Sequence, residues 1–249
     1  MPWRKGPPFG AYRRAVRIEA KPGVATAEME DDVHHFKATL IHERDVVQEA
    51  RGEAVRTPWT ICPGSLDVLR SLAGLRLEEV RALPSASRSQ HCLHLLDVAL
   101  LAAGRAKDAP FSRLYRIEAD YDAELPSLKL WRDGEEILAW NVDGDFTGGR
   151  IVGSAFDGLT LAQIPRRLAG LSRDEAEAVM ILRRASHISG VRRLDLDAFG
   201  SSGQGAKPDG SCYAKQPTRQ GQALRVIGAS RDFSGRGEWP LQTEHKFGI

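Results

Sequence analysis

AVRIEAKPGVATAEMEDDVHHFKATLIHERDVVQEARGEAV, residues 15–55, carries the strongest structural signal in the chain. Short strand-like runs follow one another in it, at 15–20, 24–29, 33–41 and 46–55, with a turn at His42-Glu43-Arg44-Asp45. Alternation of apolar and polar residues over such short runs is the pattern of half-buried strands, and it predicts a β-meander of three or four strands.

After the meander, Pro63-Gly64-Ser65 opens a helical pattern with Leu66, Leu69, Leu72 and Ala73 on one face. Ser65 is expected to cap this helix and Gly74 to stop it. A second helix is expected over 90–107, where Leu93, Leu96, Ala99, Leu100 and Ala103 recur at helical spacing, with a Pro/Ser-rich surface loop at 83–89 before it. The second half begins again with strands at 114–121, 127–131 and 136–142, and Asp133-Gly134 between the last two is a hairpin signal. A glycine-rich passage at 144–158 follows, then helices at 160–169 and 173–188, the latter opened by Ser172 with Glu175 three residues on. GSSGQGAKPDG at 200–210 reads as a flexible loop and 222–227 as a last strand.

Two strings recur at nearly the same offset: RIEA at 17–20 and 116–119, and R-x-L-A-G-L at 70–75 and 166–171. Duplication and coincidence both account for them. Duplication would set Leu168 in the core where Leu72 sits and leave the second copy, which lacks both cysteines, as a scaffold or lid. The expected class is therefore α+β, an antiparallel meander followed by helices, with a second such unit as its duplicate form. The expected segments are 13–110, carrying the site, 111–198 and a tail at 199–249.

A chain of 249 residues buries a core without disulfides, so a metal here would serve function rather than folding. Hydrophobic residues at 42% and charged residues at 27% are ordinary globular values, and no apolar run reaches the ~18 residues that span a bilayer. The basic leader lacks an apolar segment, which points to the cytoplasm. Three cysteines, Cys62, Cys92 and Cys212, argue against a disulfide framework. A net charge of +2, with arginines beside acids, argues against nucleic acid as partner and leaves a small molecule; a homo-oligomer stays open.

The polar residues that attract chemistry lie in the first half. Asp31-Asp32-Val33-His34-His35, taken as a strand, puts Asp32 and His34 on one face and Asp31 and His35 on the other. Acid beside imidazole orients a general base or builds a metal site. Arg56-Thr57-Pro58-Trp59-Thr60-Ile61-Cys62-Pro63-Gly64 places Cys62 before a helix start, where free N–H groups favour thiolate. In Gln90-His91-Cys92-Leu93-His94-Leu95-Leu96-Asp97, His91 and His94 share a face, as do His94 and Asp97, while Cys92 lies on another. The catalytic candidates are Asp32, His34 and Cys62. The candidate ligands are Asp32, Cys62, His91, Cys92 and His94, for no cofactor or for one divalent metal, zinc or iron.

These motifs, D-D-x-H-H, R-T-P-W-x-x-C-P-G and C-x-H-L-x-D, resemble a bacterial family catalogued as a domain of unknown function, from Arg13 to about Ser234. The resemblance implies a setting among catabolic genes, and so an enzyme. Residues 30–107 are more distantly similar to the IscU/NifU iron–sulfur scaffolds, which keep the order aspartate, cysteine before a helix, then His-Cys opening a long helix. Here that order is Asp32, Cys62 and His91-Cys92, with Glu30 in place of the remaining scaffold cysteine. That departure favours a mixed S/N/O site for zinc or iron over a thiolate-rich cluster.

Neither a dinucleotide-binding G-x-G-x-x-G after a strand nor a Walker A, H-E-x-x-H or G-x-S-x-G motif occurs. What acids, bases, a thiol and one metal perform unaided is elimination, retro-aldol cleavage, decarboxylation or isomerisation. The expectation is a lyase on a small, aromatic substrate with Trp59 and Trp140 as walls of its site. A metal-binding or sulfur-transfer scaffold is the alternative.

Overall fold

A computed structural model describes residues 10–83, 90–146, 148–204 and 212–242. Its strands are β1 Tyr12–Lys21, β2 Val24–Asp31, β3 His35–Glu43, β4 Val46–Arg56, β5 Phe111–Asp120, β6 Ser127–Arg132, β7 Glu135–Asp143 and β8 Arg150–Val152. They join one antiparallel eight-stranded sheet in the order β4-β3-β2-β1-β5-β6-β7-β8. This corrects the expected α+β class of a meander followed by helices, because the sheet dominates and the helices are few and mostly short.

Among the described residues the α-helices are α1 Ser65–Leu69, α2 Leu77–Arg81, α3 Leu93–Arg105 and α4 Arg173–Ser189. The first expected helix breaks up for local reasons. It tightens into a 3-10 turn at Arg70–Leu72 and ends where Gly74 takes a φ of +87°. Ser65 does not cap it, since the Ser65 hydroxyl donates to the Cys62 carbonyl instead. The helix expected at 160–169 shrinks to a 3-10 turn, Ile164–Arg167, with Pro165 at its start. The strand expected at 222–227 forms only isolated bridges, Trp59 to Arg225 and Ser201 to Leu224. Both loops read at 83–89 and 200–210 fall largely outside the described residues.

The chain divides into two compact units. The first comprises Val16–Arg113 and Asp195–Arg231. Here α3 packs over β2 and β3. Ala25, Ala27 and Met29 of β2 and Phe36, Ala38 and Leu40 of β3 are buried, as are Leu95, Leu96, Val98, Ala99 and Ala102 of α3. The alanines let helix and sheet approach, and each fully buried leucine contributes ~1.5–3 kcal/mol. On β4, Gly52 makes room for α1, because a Cβ there would lie 2.7 Å from Leu66 and 3.0 Å from Leu69. The returning segment is laced to 58–60: the Thr60 N–H donates to Leu224 O (2.9 Å) and the Val226 N–H to Pro58 O (3.0 Å).

The second unit contains Leu114–Leu194 with residues 10–15 and 232–242. Its β6–β7 hairpin turns at Asp133-Gly134, both with positive φ (52° and 96°), as the sequence signal requires. Ser172 and Glu175 form the expected capping box of α4, which packs against β6. Leu72 is buried in the first unit, whereas Leu168 is only half-buried in the second, so the repeated string does not supply an equivalent core residue. Trp140 is a core residue of this unit, edge-on to Phe156 at 5.5 Å, and not a site wall.

Candidate metal centre

Asp31 ends β2, and residues 32–34 turn the chain into β3 instead of starting a strand. The Asp31 N–H donates to His34 O (2.8 Å), and Asp31 Oδ1 accepts the N–H groups of Val33 (2.8 Å) and His34 (2.7 Å). The same oxygen lies 3.2 Å from His34 Nδ1. A two-residue alternation no longer applies in a turn, so the acid beside His34 is Asp31, not Asp32 as strand geometry predicted. Asp31 is fully buried and His34 nearly so.

His94, in the first turn of α3, reaches this turn from the helix. Its ring stacks on that of His34 with centroids 3.9 Å apart and planes 23° from parallel. Phe36 lies beside the pair, its ring 6.2 Å from His34 and 6.3 Å from His94. One ligand atom from each of Asp31, His34 and His94 lies within 4.8 Å of the others. Among the described residues this is the one group of three or more His, Cys, Asp or Glu so gathered. Donation of Nδ1–H to Asp31 would put the lone pair of His34 on Nε2, the usual way a carboxylate readies an imidazole to ligate or to take a proton.

The other expected site residues are not part of this group of three. Asp32 is buried in the same turn, and its carbonyl accepts from Arg56 Nη1 (3.0 Å) and the Arg231 N–H (2.7 Å). His91 precedes α3, and burial holds its pKa below the ordinary value. Cys62 opens a 3-10 turn, Cys62–Gly64, and is buried. Burial, then the charges of Cys92 and Cys212, pushes its thiol far above the ordinary range. Desolvation thus outweighs the helix-start effect that was expected to favour thiolate. Cys92 immediately precedes α3, makes no capping hydrogen bond, and is pushed up to about 12 by burial, then by Cys212. Asp32, Cys62, His91 and Cys92 are all outside the group of three.

Beside the turn runs a buried polar row. His35 Nε2 is 2.6 Å from Glu28 Oε1, and its Nδ1 is 3.7 Å from Glu30 Oε1. Burial pushes the Glu28 carboxyl up, but the bond and charge of His35, with Lys37 and Arg17, hold it below the ordinary value. Strand reasoning separated Asp31 from His34. The signal that could have joined them was Asp at the first position of a short turn, where its side chain bonds backbone N–H groups ahead of it.

No protein-family model and no curated protein matches the chain. Among the described residues no helix is long and apolar enough to cross a membrane.

Proposed function

We propose that the protein is a metal-assisted lyase acting on a small, aromatic molecule in the cytoplasm, with Asp31, His34 and His94 holding one divalent ion, zinc or iron. The observation that supports this is the meeting of one carboxylate and two imidazoles within 4.8 Å, from a turn and a helix start. Two nitrogens and one oxygen suit these metals and leave positions for substrate. An ion so held polarises a carbonyl or hydroxyl, the electrophilic help that elimination, retro-aldol cleavage and decarboxylation need. Rings stacked 23° from parallel present their nitrogens side by side, so capture requires one imidazole to turn. His94, half-buried at its helix start, is the more exposed of the two rings and the one expected to turn.

The 3.2 Å approach of Asp31 Oδ1 to His34 Nδ1 favours a second, metal-free reading in which His34 is a general base oriented by Asp31. Metal analysis after loading with zinc, iron or cobalt separates the two. One equivalent in the parent, with affinity at least ~10-fold weaker in Asp31→Asn, His34→Gln and His94→Gln, is expected. A parent that takes up none of these metals ends the metal reading. Retro-aldol or elimination activity that survives chelation yet disappears in His34→Gln belongs to the second.

A further inference from the structure

One side chain gathers the carbonyls around the site. Arg56 closes β4, and the register sets it beside His35, which in turn faces Glu30. Arg56 Nη1 donates to Asp32 O (3.0 Å) and Ala229 O (3.3 Å). Its Nη2 donates to Asp31 O and, at 3.4 Å, to His34 O, and lies 3.1 Å from Glu30 Oε1. The Arg56 side chain is only 10% exposed, and its Nε–H is buried with no acceptor among the described residues.

We infer that Arg56 is the positioning residue of the Asp31–His34 turn, holding it in the shape that faces His94; the inference rests on the proposed metal centre. Three of its four carbonyl partners belong to residues 31–34, two of them on the ligand residues themselves. If those carbonyls swing, Asp31 Oδ1 leaves the Val33 and His34 N–H groups, and the His34 ring moves with the backbone. Only a planar fork with several fixed donors meets so many acceptors at once. A lysine ammonium keeps the charge beside Glu30 but is a compact point donor. The fourth partner, Ala229, ties the returning segment to the same hub, where the Arg231 N–H also donates to Asp32 O (2.7 Å).

The test uses the full chain as Arg56→Lys, with Arg56→Met/Glu30→Gln as a second variant that removes the buried charge together with its partner. Amide hydrogen exchange is read first without metal. Exchange at Val33 and His34 should quicken at least ~10-fold while the β6–β7 hairpin amides keep their rates. Cobalt(II) is then titrated by its absorption spectrum, and affinity should fall ~10–100-fold, the usual effect of losing a group that orients ligands. Unchanged exchange at Val33 and His34 in both variants overturns the inference, as does a loosened turn that binds cobalt(II) with parental affinity. A turn that loosens in a chain whose parent binds no cobalt(II) supports Arg56 as the holder of the turn and removes only the metal reading. Should Arg56→Lys fail to fold, the double variant is read in the same two ways.

Discussion

Asp31 and Asp32 are neighbours with different work. Asp31 Oδ1 serves two backbone N–H groups and the His34 ring, whereas the Asp32 contacts described above run through its carbonyl. Asp31→Asn should therefore weaken zinc or cobalt binding ~10–100-fold, and Asp32→Asn should change it by less than ~3-fold, by competition with a chromogenic chelator. Equal losses would place Asp32 in the site after all. At the same scale, the raised thiol pKa of Cys62 makes a pH prediction. A group whose folded pKa is raised adds stability below its unfolded pKa, ~8.5, and loses it as pH rises beyond that. Urea denaturation should show stability falling above pH ~8.5 by at most ~1.4 kcal/mol per pH unit from this thiol. Cys62→Ala should flatten that slope; an identical slope would assign it to other groups. The types of site residue were legible in the sequence, since His34 and His94 do meet. Their partner was not, because the chain turns between Asp31 and His34, and in a turn strand alternation no longer says which aspartate faces the ring.

Elements followed the sequence where the signal was local and chemical. Asp133-Gly134 made its hairpin and Ser172-Glu175 its cap because each acts on its own backbone. Ser172→Ala should cost ~1 kcal/mol in chemical denaturation, and Ser172→Gly less. Helix length was less legible: leucines at helical spacing near 66–72 also serve a single turn plus a 3-10 turn, when a strand beneath fixes the space. Gly52 sets that space, so Gly52→Ala should destabilise by ~1–3 kcal/mol through overpacking against Leu66 and Leu69. A Leu69→Ala change in the same chain should relieve part of that loss, and strict additivity would show that the two sites do not touch.

Sequence distance misleads most at the scale of the whole molecule. The meander at 15–55 was legible because its strands pair with their neighbours in the chain, but alternation alone does not say that strands near residues 111–152 extend the same sheet. Nor does composition reveal that 195–231 returns to the first unit. Arg225 holds that return: its buried guanidinium bonds Pro58 O (3.0 Å), Asp197 (2.8 Å) and Ser230 (2.8 Å). Arg225→Met should cost ~2–4 kcal/mol in urea denaturation, and a loss below ~0.5 kcal/mol would show that the backbone bonds to 58–60 suffice alone.

That return also sets a timetable for biosynthesis. The turn with Asp31 and His34 leaves the ribosome early, and α3 with His94 soon after. The Ala229 carbonyl and Arg231 N–H that complete the hub around Arg56 emerge well over a hundred residues later. At ~5–20 residues per second, the nascent chain carries its ligand residues for many seconds before the last restraints on them exist.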